Sequence, residues 1–121
     1  MYVDPNNKDA IYEQIVFNVK KDIIQGILSP EDKILSVRDM SKKLGVNPNT
    51  VAKAYKELEN QNVIVTIKGR GSFVKRNDDE QVIDIQTQNK LKKELKAWLV
   101  EAQYARVPKE LVYKWIEEEE Y

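Results

Sequence analysis

The chain has 121 residues, 33% of them charged and 41% hydrophobic, and a formal net charge of zero, which suits one compact domain with a small appendage. It has neither cysteine nor histidine, which removes disulfides, thiol chemistry, the common nucleophile–base pairs and most transition-metal sites. Neither an enzyme nor a cofactor-binding protein is therefore expected. No apolar run is long enough to span a membrane, and the opening MYVDPNNKDA has neither the basic start nor the apolar stretch of a signal peptide, so a cytoplasmic protein without a membrane partner is expected.

In chain order, residues 10–26 come first. Ile11, Ile15, Val19 and Ile23 recur every four residues, and Val16 and Ile24 are expected to widen the stripe. This predicts an amphipathic helix ended by Gly26. The connection ILSPEDKIL follows, with a short strand expected at Lys33–Leu35. Ser36-Val37-Arg38-Asp39 reads as a capping-box start in which Asp replaces the longer Glu. Met40 and Leu44 are expected to face inward, and Gly45 stops the helix after about two turns.

The next helix opens within three residues. Asn47 is a good N-cap, and Pro48 suits a first helical position that needs no amide donor. Val51, Ala54, Tyr55 and Leu58 share one face. Two short amphipathic helices joined by so tight a turn predict a helix-turn-helix. In VIVTIKGRGSFVKR, residues Val63, Val65 and Ile67 alternate with Ile64, Thr66 and Lys68, which is strand-like. Gly69-Arg70-Gly71 is a turn and Ser72–Lys75 the returning strand, so the helix-turn-helix is winged.

Residues 77–86 read as a linker. Residues 87–105 predict a helix with Leu91, Leu95, Trp98, Leu99 and Ala102 on one stripe. Pro108 begins a last helix bearing Leu111, Val112, Trp115 and Ile116. The acids Glu117–Glu120 oppose the dipole at that helix's C-terminus, so fraying is expected there. The fold class is mainly α with a small β-hairpin: a winged helix-turn-helix over 1–76 and a two-helix tail over 87–121.

The zero net charge hides an asymmetry. Residues 33–76 carry ten basic and three acidic side chains, net +7, whereas residues 77–121 carry seven and eleven, net −4. A basic centre beside an acidic tail points to a polyanion partner for the centre. At the start of the second short helix, small polar side chains allow close approach to base edges and phosphates. Asn49 can read adenine, Thr50 can bind a phosphate or pack on a thymine methyl, and Lys53 can contact a phosphate or guanine. Lys68, Gly69 and Arg70 form a basic glycine tip in which Arg70 suits a minor groove. Arg38 can grip a phosphate. Each feature has an ordinary explanation in helix capping, a tight turn or surface charge. Their combined order points to double-stranded DNA.

The residues IYEQI, SVRDMSKKLGVNPNTVAKAYKELE and GRGSFV together resemble the winged helix-turn-helix of GntR-family bacterial transcription regulators, over residues 10–74. About 45 residues follow, too few for the family's usual large effector domain, and the two-helix tail resembles the YtrA-like subfamily, in which the tail serves dimerisation. The resemblance implies that Arg38, Asn49 and Thr50 contact DNA and that Lys68 and Gly69 reach the minor groove. Pro48 and Ala52 depart from it, standing where many members have guanine-reading arginines. Glu31 stands where the family usually has Gly after Pro.

A tail this short cannot close a second core. Leu91, Leu95, Trp98, Leu99, Leu111, Trp115 and Ile116 are therefore expected to join two copies into a homodimer. The expected function is repression from an inverted-repeat operator. The resemblance suggests a transporter operon, often including the regulator's own gene, as target. A small-molecule effector, for which no dedicated domain exists, would bind at the dimer interface or between tail and DNA-binding domain. The alternative is a protein-interaction adaptor that uses the winged fold.

Overall fold

The every-fourth apolar rhythm of the first segment folds into helix α1 (Ile11–Ile24) in the computed structural model, which describes residues 1–7, 9–76 and 84–119. Helices α2 (Val37–Leu44) and α3 (Pro48–Asn60) follow, then strands β1 (Ile64–Ile67) and β2 (Gly71–Val74), and helices α4 (Ile85–Tyr104) and α5 (Lys109–Glu117). The chain divides into two compact units, Met1–Asp79 and Glu80–Tyr121.

In the first unit α1 buries Ile15, Val16 and Val19, while Ile11 and Ile23 pack at the margin of the core. Ile24 does not widen that stripe: it is 81% exposed. Each helical residue turns the side chain by about 100°, which carries Ile24 to the outer face with Phe17. The chain before α1, to which the sequence assigned no element, is tied down. Val3 joins the core. The Gln14 side chain accepts from Asp4 N at 2.7 Å and donates to the carbonyls of Asp4 and Asp9.

The strand expected at Lys33–Leu35 shrinks to one bridge, Lys33 to Phe73. Ile34 N donates to the Ser72 carbonyl and Val74 N to that of Asp32, whereas the Leu35 carbonyl, on the edge of the segment away from β2, accepts from the Tyr55 hydroxyl. Ser36 caps α2 by accepting from Asp39 N at 3.1 Å. Among the described residues no return bond from the Asp39 carboxylate completes the box, as its shorter side chain implies. Gly45, at φ 65°, ends the helix in the left-handed conformation that glycine adopts without strain. Buried Ser41 donates its hydroxyl hydrogen to the Val46 carbonyl, fixing the turn into α3.

Asn47 caps α3 through Asn49 N, 2.8 Å away, with Pro48 in the first turn. Val51, Ala54, Tyr55 and Leu58 are buried, as their spacing requires. The hairpin pairs Ile64 with Val74, Val65 with Phe73, Thr66 with Ser72 and Ile67 with Gly71. Only Ile64 and Val74 reach the core, and Val65 and Ile67 stay half-exposed, because a two-stranded sheet covered by helix on one face has one buried row.

In the second unit α4 starts at Ile85, two residues ahead of the expected position, and so takes in the end of the expected linker. Asp84 is the reason: its carboxylate accepts from Gln86 N and Thr87 N and from the Thr87 hydroxyl at 2.6 Å. The Thr87 hydroxyl bond, then the backbone bonds, hold this carboxyl below its usual pKa. The rest of the linker, 77–83, lies outside the described residues. Helix α4 ends at a pair of hydrogen bonds, Arg106 N donating to Gln103 O and Val107 N to Ala102 O, with Arg106 at φ 63°. Helix α5 stops at Glu117, inside the acid run; Glu120 and Tyr121 lie outside the described residues.

The two tail helices meet through Trp98 and Trp115, edge to face with centroids 6.4 Å apart. Ala102 and Val112 are buried and Leu99 and Leu111 half-buried. Leu91, Leu95, Trp98, Trp115 and Ile116 remain 40–57% exposed. None of the described helices is long and apolar enough to cross a membrane.

Candidate nucleic-acid interface

Burying Val51, Ala54, Tyr55 and Leu58 leaves one outer ridge on α3. Asn49, Lys53, Lys56 and Asn60 follow at i, i+4, i+7 and i+11, opposite the core face, and all four are exposed. Lys56 and Asn60 were not among the residues expected to act, although the helical period that placed Lys53 places them on the same ridge. Thr50 lies to the side of it and is half-buried.

Two further bonds set the pose of this ridge. The Tyr55 hydroxyl donates to the Leu35 carbonyl at 2.5 Å, and burial pushes that hydroxyl's pKa up to about 12. Glu59 is drawn towards the hairpin, accepting from the Thr66 hydroxyl at 2.6 Å, and Glu57 accepts from the Gln61 side chain. The two carboxylates of α3 are thus engaged away from its N-terminal half, where Asn49 and Lys53 stand.

Asn47 is exposed, but its side-chain oxygen is spent on the cap, which leaves the amide hydrogens as donors. Arg38 is exposed in the first turn of α2. The wing tip Lys68-Gly69-Arg70 is fully displayed: Arg70 N bonds to the Ile67 carbonyl across a turn whose third residue, Gly69, sits at φ 80°, where type II turns require glycine. Among the described residues no hydrogen bond or ion pair engages the side chains of Arg38, Asn49, Lys68 or Arg70.

Lys53 differs. Its ammonium lies 4.0 Å from the centroid of the Tyr12 ring, in the first turn of α1. Nothing in the local sequence around Lys53 signals this partner. The expected dimerisation residues all fall in the second unit, along one face of α4 and one of α5. No group of acidic side chains among the described residues could hold a metal ion.

The family model of bacterial regulatory proteins, gntR family, matches residues 11–74. The HTH-type transcriptional repressor YtrA of Bacillus subtilis (strain 168) is 39% identical over 116 residues, spanning 96% of this chain and 88% of that protein. A crystal structure of a transcriptional antiterminator from Listeria monocytogenes EGD-e superimposes with a TM-score of 0.91 at 36% identity, over 98% of this chain and 87% of that one. A crystal structure of the AraR DNA-binding domain in complex with operator ORX1 superimposes with a TM-score of 0.55 at 26% identity, over 61% of this chain and 92% of that one.

Proposed function

The chain belongs to the GntR family of bacterial regulatory proteins, and from that premise we propose that it is a cytoplasmic transcription repressor that binds an inverted-repeat operator as a homodimer. Family membership makes it a helix-turn-helix transcription regulator. The observation that carries the reading further is the α3 ridge: a capped N-terminus and four exposed polar or basic side chains in line, on a helix whose opposite face is wholly buried. A helix of this kind fits the major groove with its first turns at the base edges.

The parts divide the work. Asn49, with both donor and acceptor, is the candidate base reader. Thr50, Lys53, Arg38 and the cap at Asn47 serve phosphates or neighbouring bases. Lys68, Gly69 and Arg70 on the wing approach the adjacent minor groove. Each phosphate neutralised releases counterions, so affinity falls steeply with salt. With Pro48 and Ala52 at the head of the helix, base reading rests on the asparagine and threonine.

Homodimerisation is supported by the tail, where the exposed Leu91, Leu95, Trp98, Trp115 and Ile116 form one apolar face with the half-buried Leu99 and Leu111. A two-fold dimer presents two ridges to two half-sites about one helical turn apart, and bound there it blocks polymerase. Repression is also what the name of the Bacillus subtilis relative states of that protein.

Footprinting the purified protein on DNA upstream of its own gene tests the reading. Two protected half-sites in inverted repeat are expected. Binding with no sequence preference at moderate salt would favour an adaptor role instead.

A further inference from the structure

We infer that Tyr12 is the positioning residue for Lys53, holding its ammonium in place on the recognition ridge before DNA arrives. The inference rests on reading that ridge as the DNA-binding surface. Tyr12 packs half-buried against the core cluster, so its ring is fixed by the fold. Lys53 Nζ lies 4.0 Å from the ring centroid, well inside the range of cation–π attraction.

A lysine on an exposed helix face normally samples many rotamers, and ordering it opposes binding. The ring occupies one side of the ammonium. The remaining N–H groups point away from it and stay free for an anionic oxygen or a base acceptor. Lys53 therefore meets DNA already ordered. Lys56, one turn on, has no such ring among the described residues and serves as a looser charge. This makes Tyr12, on a different helix, a determinant of operator affinity that acts through Lys53.

The test is operator binding by fluorescence anisotropy with the full chain, comparing Tyr12→Phe, Tyr12→Leu, Lys53→Met and the double variant Tyr12→Leu/Lys53→Met across a salt series. Tyr12→Phe keeps the ring and should bind as the parent does. Tyr12→Leu should weaken binding about two- to fivefold with an unchanged salt slope, since the charge remains. In the Lys53→Met background Tyr12→Leu should cost nothing further.

Equal losses from Phe and Leu would assign the effect to the hydroxyl and overturn the inference. So would additive losses in the double variant, or no loss from Tyr12→Leu where Lys53→Met does weaken binding. If Lys53→Met itself changes neither affinity nor slope, the reading of Lys53 as a DNA contact fails instead. The unmodified protein offers a readout independent of folding in the variants: the Lys53 methylene protons should show upfield ring-current shifts in NMR spectra, and unshifted resonances would overturn the inference.

Discussion

The Tyr55 hydroxyl on α3 donates a 2.5 Å hydrogen bond to the carbonyl of Leu35, just ahead of the Ser36 cap of α2. One bond thus joins the recognition helix to the entry of the helix that carries Arg38.

Tyr55→Phe should lower unfolding free energy by about 1–2 kcal/mol at pH 7, because the Leu35 carbonyl loses its partner in a part-buried setting. A pH dependence follows from the burial of the same hydroxyl. The folded pKa of about 12 lies above the unfolded value of 10.0, so the unfolded chain releases this proton first. The contribution is fully present below pH 10 and is lost as pH rises towards 12. Denaturant titrations at pH 8 and pH 11.5 should show the parent losing more stability than Tyr55→Phe. Equal losses would show that the hydroxyl titrates as in the unfolded chain.

Glu31 occupies the left-handed region at φ 71°, where a side chain costs energy and glycine does not. Its ion pair with Arg76, 3.5 Å apart and exposed on both sides, contributes little. Glu31→Gly should therefore be neutral or stabilising by up to about 1 kcal/mol, whereas Glu31→Ala keeps the strain and gains nothing. A lower thermal midpoint for the Gly variant than for the Ala variant would contradict this.

Arg70→Ala should weaken operator binding and reduce the salt slope by roughly one, as expected when one cation that displaces counterions at the groove is lost. Arg38→Ala should do the same. If both variants show the parental slope in a salt titration of operator affinity, neither side chain sits at the DNA.

Leu95→Asp places a charge in the middle of the exposed apolar face of α4 without disturbing a buried side chain. The variant should sediment as a monomer at concentrations where the parent is a dimer. Its operator affinity should fall by more than tenfold, since a single ridge reads only one half-site. A dimer that survives this change would place the interface elsewhere.

Local chemistry accounts for what the sequence determined unaided. The helices, the caps at Ser36 and Asn47, the stop at Gly45, the hairpin and the inward face of α3 follow from period, capping and turn preference, each written within a few neighbouring residues. So does the ridge with Asn49 and Lys53, as the complement of that buried face. Tertiary structure alone decided which residues far apart in the chain meet: Val3 in the core, Gln14 holding the N-terminal segment, Leu35 under Tyr55 and Tyr12 under Lys53. It also cut the expected strand at Lys33–Leu35 to one bridge, Lys33 to Phe73. A contact between distant segments depends on how whole elements pack, and no short window of sequence carries that information.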